Sequence, residues 1–221
     1  MLLKEISLQT NNLFELHNFY KEIFELPTVY SNEKSIAVTA GKSQLIFEEA
    51  NNPRNPFYHF AFNIPSNKFE EAFNWMKKKA ALLWLDDYKG YIADFVKWRA
   101  KSFYFKDPAG NILELITRFD LDDIAGEKFS SMHIRNVSEI GLVFPVESFD
   151  TDVNNLLSQY PLGYFDKQPP MPHFRAVGND EGLFVIVPEN RAWFSTKDVL
   201  SQVFPMRITF IENNTSYQLK M

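Results

Sequence analysis

The stretch Ser102-Phe-Tyr-Phe-Lys-Asp-Pro-Ala-Gly-Asn-Ile-Leu-Glu-Leu-Ile116 is typical of a β-hairpin. At its centre, residues 107–111 combine Pro108, which presets φ, with Gly110, which accepts a positive φ. Aromatic and β-branched residues lie on both sides. Glu114 stands in the middle of the otherwise apolar second strand. Because burying a lone charge is very costly, we expect Glu114 to face water, a partner or a metal ion.

Outside the hairpin, the chain repeats one order of elements. Apolar and polar residues alternate at 3–9, 58–64 and 137–143, which predicts three strands with one apolar face each. An amphipathic helix and further strands follow each of them, so the repeat is β-α-β-β-β and its third copy is incomplete. In the second of these strands the phenylalanines take one face, and His59 and Asn63 take the other.

These repeats predict an α+β protein built from modules. Residues 1–50 and 57–118 form two βαβββ modules, residues 119–136 form a polar linker, and residues 137–221 form a third βαβββ-like module. Because a module of this kind cannot cover its own sheet, it must pair with another. We expect the first two modules to pair into a curved sheet around a cup that holds the site.

The third module then has no partner among the first two. It either pairs with its twin in a homodimer or packs on the first pair, and the sequence leaves both arrangements open. The last residues, 213–221, are predicted to be loose, as chain ends commonly are.

Composition excludes several functions. The 221 residues contain no cysteine, which rules out disulfides, thiolate catalysis and cysteine metal ligands. The net charge of −5 disfavours nucleic acid as a partner. No apolar run approaches a membrane span and the first residues do not resemble a signal peptide, so we expect a cytoplasmic protein with no membrane partner. The 22 phenylalanines predict bulky cores or an aromatic-lined cavity.

Two motifs together resemble a known group of proteins. They are Tyr58-His-Phe-Ala-Phe62 and the hairpin pattern Tyr-Phe-x-Asp-Pro-x-Gly-Asn-x-x-Glu-Leu at residues 104–115. With the paired βαβββ modules they are similar to the vicinal oxygen chelate superfamily, which includes glyoxalase I, extradiol dioxygenases, fosfomycin-resistance enzymes, methylmalonyl-CoA epimerases and bleomycin-resistance proteins. The resemblance covers residues 1–118 well and residues 137–211 in outline. It implies the fold more directly than a reaction.

The resemblance also implies a set of metal ligands. Metal-using members of the superfamily place ligands on the first and last strands of each module. Carried onto this chain, those positions hold His59 and Glu114 in the second module and Glu5 in the first. The fourth position is Phe47, which cannot bind a metal, or Glu48 if the register slips by one residue.

This ligand set suggests a chemistry. One imidazole and two carboxylates suit a divalent ion such as Mn²⁺, Mg²⁺, Zn²⁺ or Ni²⁺. The ion would act as a Lewis acid on neighbouring substrate oxygens, and Glu114 or Glu5 would serve as the catalytic base if not bound to it. The set does not match the two-histidine, one-carboxylate site of iron oxygenases, which makes a dioxygenase less favoured. Neither a nucleotide nor a flavin is implied.

The substrate pocket is expected beside the same residues. Trp98 and Tyr104 would form aromatic walls, although core packing explains them equally well. Arg99 would either recognise an anionic substrate or lie at the surface, and Asn63 shares the face of the second module's histidine. Glu139 opens the third module as that histidine opens the second. It is either an echo of the site or a solvated strand end, and we favour the solvated strand end.

Three functions fit the sequence. The first is a metal-dependent enzyme of glyoxalase type, with isomerase, lyase or addition (transferase) chemistry on a small oxygenated molecule. The second is a non-catalytic protein of bleomycin-resistance type that binds or sequesters a small molecule, and the third is an interaction protein with a vestigial cup. The predicted ligands favour the enzyme, whereas Phe47 favours the other two. Two alternatives remain: His59 is a satisfied half-buried histidine, and Glu5 pairs with a nearby lysine or arginine such as Arg99.

Overall fold

The computed structural model describes residues 1–50 and 52–221, and Asn51 lies outside the described part. The chain folds as a mixed α+β protein with one curved, open sheet and short helices on it. This architecture confirms the predicted fold class. Among the described residues, no helix combines the length and the apolar character that crossing a membrane requires.

The strands and helices follow the module order. The first module contains β1 (Leu2–Thr10), α1 (Leu13–Asn18, continued by a π-helical turn at Phe19–Ile23), β2 (Thr28–Asn32), β3 (Ser35–Ala40) and β4 (Ser43–Glu49). The second contains β5 (His59–Ile64), α2 (Phe69–Lys77), β6 (Ala93–Phe95), β7 (Ala100–Lys106) and β8 (Ile112–Arg118). The last part contains β9 (Asn136–Phe144), α3 (Phe149–Gln159), β10 (Arg175–Asn179), β11 (Gly182–Pro188), β12 (Met206–Glu212) and β13 (Thr215–Lys220).

The strand β5 is buried on both of its faces. Phe60 and Phe62 point into the main hydrophobic core, where Phe69 of α2 also packs. His59 and Ala61 lie on the opposite face and are buried as well. A strand that is covered on one side only would expose that second face to water. The second face of β5 is therefore an interior surface, and the candidate site lies on it.

The modules pair differently from the prediction. β9 lies between β1 and β5 in the sheet. It pairs antiparallel with β5 and parallel with β11 along several residues each. Its pairing with β1 is limited to Leu3 opposite Val137. β1 takes β12 as its antiparallel neighbour. The second module is thus joined to the third, and the first module is joined to the hairpin of β12 and β13.

The physical reason for this difference lies at the strand edges. Alternation along a strand shows which face is buried, but it carries no information on which edge meets which. Because β9 fills the edge of β5 within the same chain, the third module needs no second copy to complete its sheet. Residues 213–221 are not loose either, since β13 pairs with β12 from Thr215 opposite Glu212 to Lys220 opposite Arg207.

The turn of the hairpin between β7 and β8 is organised by Asp107. Its Oδ1 accepts the backbone N–H groups of Ala109 and Asn111, both at 3.0 Å, and its Oδ2 accepts the Tyr20 hydroxyl at 2.9 Å. Gly110 adopts the expected positive φ, 86°. Burial raises the pKa of Asp107 to about 6, although these hydrogen bonds act in the opposite direction. The turn fixes the register of β7 against β8 and so the face on which each side chain lies.

Candidate metal centre and substrate cavity

Three buried polar side chains converge on the second face of the sheet. They are His59 at the start of β5, Glu114 in the middle of β8 and Glu139 on β9. Their exposed fractions are 7%, 2% and 4%. One ligand atom from each residue lies within 4.8 Å of those of the other two. The structure therefore brings two of the three predicted ligands together and adds a third that was not predicted.

Strand register explains this convergence. Ala61 of β5 lies opposite Glu114 in the parallel pairing with β8 and opposite Glu139 in the antiparallel pairing with β9. Because the alanine side chain is only a methyl group, the carboxylates on its two sides have room to approach each other. His59 precedes Ala61 by two residues and therefore shares its face.

The imidazole of His59 is oriented by the backbone of β8. Its Nδ1 lies 3.1 Å from the carbonyl oxygen of Ile112 and donates to it, which leaves a lone pair on Nε2. That Nε2 lies 3.6 Å from Oε2 of Glu114. Burial lowers the pKa of His59 to about 4, against a smaller opposite effect of the hydrogen bond to Ile112. The ring is therefore neutral near pH 7, as a metal ligand must be.

The carboxyl group of Glu114 is incompletely satisfied. Its Oε1 is buried and accepts no hydrogen bond from the residues that the structure describes. Burial raises the pKa of Glu114 well above its usual range and the nearby charge of Glu139 raises it further, whereas the hydroxyl groups of Ser102 and Tyr104 and the charge of Arg118 act in the opposite direction. Native proteins rarely leave a buried oxygen of this kind without a partner, so a ligand or ion is the natural explanation.

The carboxylate of Glu139 is held by a buried arginine. Arg118, at the end of β8, is 1% exposed, and its guanidinium forms an ion pair with Glu139. It also donates from Nε to Ser138 Oγ at 3.2 Å and lies 3.5 Å from an oxygen of Asp180. Burial raises the pKa of Glu139, and the charge of Arg118 acts against that increase. Glu139 is thus held by an ion pair with Arg118, whereas no described lysine or arginine forms an ion pair with Glu114.

The residues present fit a divalent metal ion. A neutral imidazole nitrogen and two carboxylates face one another, and Arg118 offsets part of the negative charge. A cation at this place would satisfy the unpartnered oxygen of Glu114 and stabilise both carboxylates in the low-dielectric interior. Three protein ligands would leave coordination positions open for water or a substrate, as in catalytic metal sites.

The third module mirrors the second at this site. In the parallel pairing of β5 with β8, Ala61 lies opposite Glu114, and His59 is two residues before Ala61. In the parallel pairing of β9 with β11, Gly141 lies opposite Val185, and Glu139 is two residues before Gly141. The counterpart of Glu114 in the third module is therefore Val185. The equivalent positions of the second and third modules are thus His59, Glu114, Glu139 and Val185. Because valine cannot bind a metal, these positions supply three protein ligands at most.

The three residues line a cavity of about 230 Å³ with mainly aromatic walls. Trp98 and Tyr104, the two aromatic residues expected beside the site, are among its lining residues. The loop between β11 and β12 contributes Arg191, Trp193, Phe194 and Ser195 to the lining. An aromatic enclosure with a few polar groups is the usual form of a small-molecule site.

The first module's predicted ligands lie away from this cavity. Glu5 is partly exposed and lines a separate surface pocket with Lys42, because β1 carries it into the ladder between β4 and β12. Phe47 is fully buried and stacks on Tyr20 with ring centroids 5.3 Å apart. Glu48 pairs with Arg207 at the surface. The first module thus contributes none of the three clustered residues.

Two predicted pocket residues also lie elsewhere. Arg99 is exposed and pairs with Asp120 at 2.5 Å, so it is neither in the cavity nor paired with Glu5. Asn63 is buried, but it lines a different cavity, and its side-chain amide donates to the carbonyl oxygen of Asp180 at 3.2 Å. Asn63 lies on β5 beyond Ala61, away from the end of the strand that carries the histidine.

Sequence reasoning misjudged Glu139. The interpretation as a solvated strand end is wrong, because β9 is an inner strand and the residue is buried. The signal was present in the repeat itself, since Glu139 opens the third module as His59 opens the second. A prediction that paired the second module with the third would have placed Glu139 beside His59. The loop residues Arg191 and Trp193 have no comparable periodic signal.

Comparisons with known proteins give sequence relatives for part of the chain. No family model matches it. The chain is 29% identical over 137 residues to metallothiol transferase FosB of Staphylococcus haemolyticus, an alignment that covers 60% of this chain and 94% of the relative. Its identity to metallothiol transferase FosB of Staphylococcus epidermidis is 29% over 126 residues, 55% of this chain and 84% of the relative.

A solved structure extends the likeness to most of the chain. A protein from Bacillus subtilis described as a candidate dioxygenase superposes with a TM-score of 0.58 at 14% identity. The superposition covers 85% of this chain and 63% of the other. At this identity the likeness shows the fold alone, and it includes most of the region beyond the second module.

Proposed function

We propose that this chain, which belongs to the vicinal oxygen chelate superfamily, is a metal-dependent enzyme acting on a small oxygenated molecule. The observation that carries the proposal is the buried cluster of His59, Glu114 and Glu139 in an aromatic cavity. A cluster that served packing alone would satisfy its own polar atoms, whereas one oxygen of Glu114 has no partner within the described residues.

Each member of the cluster has a distinct proposed role. His59 binds the ion through Nε2, since its Nδ1 is engaged by the carbonyl of Ile112. Glu139, held by Arg118, is the fixed oxygen ligand. Glu114 has an unengaged oxygen and is the candidate for both ligand and proton acceptor. The bound ion, Mn²⁺, Mg²⁺, Zn²⁺ or Ni²⁺, supplies a Lewis acid that polarises substrate oxygens.

The relatives support this proposal over the alternatives. Proteins named metallothiol transferases are the sequence relatives of this chain, which favours transferase or addition chemistry among the reactions expected. A non-catalytic binding protein of bleomycin-resistance type is less favoured, because an apolar cup does not need two buried carboxylates. We retain the cytoplasm as the proposed location. A homodimer is no longer needed to complete the sheet of the third module, because β9 pairs with β5 inside the chain.

Metal content tests the proposal. The purified protein, treated with a chelator and reloaded with Mn²⁺, Zn²⁺, Ni²⁺ or Mg²⁺, should retain about one ion per chain for at least one of them. His59→Ala should lose that ion. His173→Ala, which removes an exposed histidine outside the cavity, should retain it. Absence of stoichiometric binding by all four metals, or equal binding by both variants, would refute the metal site.

A further inference from the structure

The cavity contains a cation that the proposed metal chemistry does not use. Arg191 lies in the loop between β11 and β12 and lines the same cavity as His59 and Glu114. Its guanidinium carbon lies 5.6 Å from the centre of the Phe174 ring, which also lines the cavity. Within residues 1–50 and 52–221 no carboxylate forms an ion pair with it, and burial alone lowers its pKa. An arginine placed against an aromatic wall without a protein anion is arranged to receive one.

A second unengaged donor comes from the same loop. Trp193 is 5% exposed, and its indole N–H has no acceptor among the described residues. The ring lies 5.2 Å from that of His59, centroid to centroid, and it lines the cavity beside Arg191. Buried indole N–H groups nearly always find an acceptor. The same loop thus carries an arginine without a protein anion and an indole N–H without an acceptor among the described residues, both beside the proposed metal ligands.

The other lining residues and the cavity volume indicate the shape and polarity of the ligand. Phe95, Trp98, Tyr104, Phe174 and Phe194 make the surroundings aromatic. The cavity volume is about 230 Å³, and an apolar cavity of about 150 Å³ accommodates benzene. The space therefore suits one aromatic ring with a short substituent.

We infer that the substrate is a monocyclic aromatic molecule with one carboxylate, which Arg191 binds as an ion pair and the indole N–H of Trp193 binds as a hydrogen bond. The inference rests on the proposed function in that the same cavity is the active site. It adds a substrate class and two recognition residues on a loop outside the metal cluster. Charge-assisted hydrogen bonds from a partly buried arginine are strong enough to select a carboxylate over an uncharged analogue.

Binding of matched pairs tests the inference. Benzoate, phenylacetate and 3-phenylpropionate, each beside its primary amide, are titrated into the purified protein of 221 residues, with calorimetry as the measurement. At least one acid should bind roughly 10- to 100-fold more tightly than its amide, as expected for a hydrogen bond to a charged group. Arg191→Gln should reduce this preference to about one. Arg207→Gln, which alters an exposed arginine paired with Glu48, should leave it unchanged.

The His59→Ala variant separates this inference from the metal site. If the preference for the acid persists in His59→Ala and disappears in Arg191→Gln, the arginine is the anion site whether or not a metal binds. If the preference disappears in His59→Ala and persists in Arg191→Gln, the metal binds the carboxylate and the inference is overturned. Equal affinity of the acid and the amide for the unmodified protein, in all three pairs, would also overturn it.

Discussion

His59 Nε2 lies 3.6 Å from Glu114 Oε2, too far for a hydrogen bond. Since Nδ1 donates to Ile112 and burial keeps the ring neutral near pH 7, Nε2 presents a lone pair to the carboxyl group. Burial disfavours the ionised form of Glu114, so the space between the two groups suits a cation that would stabilise that form. Without a cation, burial of this carboxyl group lowers the stability of the folded protein, whereas a cation bound between the two groups raises it.

Glu114→Gln should stabilise the metal-free protein. The substitution keeps the shape of the side chain and removes a buried carboxyl group whose charged form is disfavoured by burial and by Glu139. We expect the free energy of unfolding to rise by about 1–3 kcal/mol near neutral pH, because the amide has no charge to desolvate in the interior. Chemical denaturation in the presence of a chelator measures this change. Addition of the metal should then raise the melting temperature of the unmodified protein and leave that of the variant unchanged.

Glu139→Gln should have the opposite effect on stability. It leaves the buried guanidinium of Arg118 without its nearest carboxylate, and breaking a buried ion pair from one side costs about 3–5 kcal/mol. The partial compensation by Asp180 places the expected loss at the lower end of that range. The same denaturation experiment compares the two variants. If both substitutions changed the unfolding free energy with the same sign, the different roles assigned to the two carboxylates would be wrong.

The sequence predicted the fold class and the neighbourhood of the site from local patterns. The turn residues around Asp107 determine the hairpin, and the hairpin register determines the face on which Glu114 lies. The alternation in β5 places His59 on the same side as Ala61. These are properties of single strands and tight turns, which residue order controls directly.

The remaining part of the site depends on contacts between distant segments. Glu139 joins the cluster because β9 pairs with β5, and no local pattern distinguishes that pairing from one between β1 and β5. Glu5 has the right parity but lies on a strand whose neighbours are β4 and β12. Arg191 and Trp193 reach the cavity from an irregular loop, for which alternation carries no information.

Gly141→Ala should disturb the cavity wall. A β-carbon at Gly141 of β9 would lie 2.6 Å from the six-membered ring of Trp193, closer than side chains pack. The indole must therefore move, and we expect a loss of about 1–3 kcal/mol in unfolding free energy, typical of overpacking. Tryptophan emission should shift in the folded protein as well.

Gly163→Ala is the matched control for this change. Gly163 is exposed, and a β-carbon there would meet no atom within 4 Å. We expect its unfolding free energy to stay within about 0.5 kcal/mol of the unmodified value. Equal effects of the two substitutions on stability and emission would show that Gly141 is not required for the position of Trp193.

Asp107 should make stability depend on pH between about 4 and 6. Burial raises its pKa in the folded protein to about 6, above the value of 3.8 usual for an aspartate. The folded state therefore binds the proton more tightly than the unfolded state, so the contribution of Asp107 is fully present below pH 3.8 and is lost as the pH rises through 6. A rise of this size in the pKa of Asp107 corresponds to a contribution of about 3 kcal/mol to the free energy of unfolding at low pH.

Comparison with Asp107→Asn isolates this contribution, because the variant cannot titrate at that position. The unfolding free energy of the unmodified protein minus that of the variant should fall by up to about 3 kcal/mol between pH 4 and pH 7. Urea denaturation at half-unit intervals of pH provides the measurement. A difference that rises with pH would mean that the hydrogen bonds from Tyr20, Ala109 and Asn111 to the carboxylate outweigh its burial. In that case the ionised form of Asp107 would stabilise the folded state relative to the unfolded state, and acid would loosen the hairpin that positions Glu114.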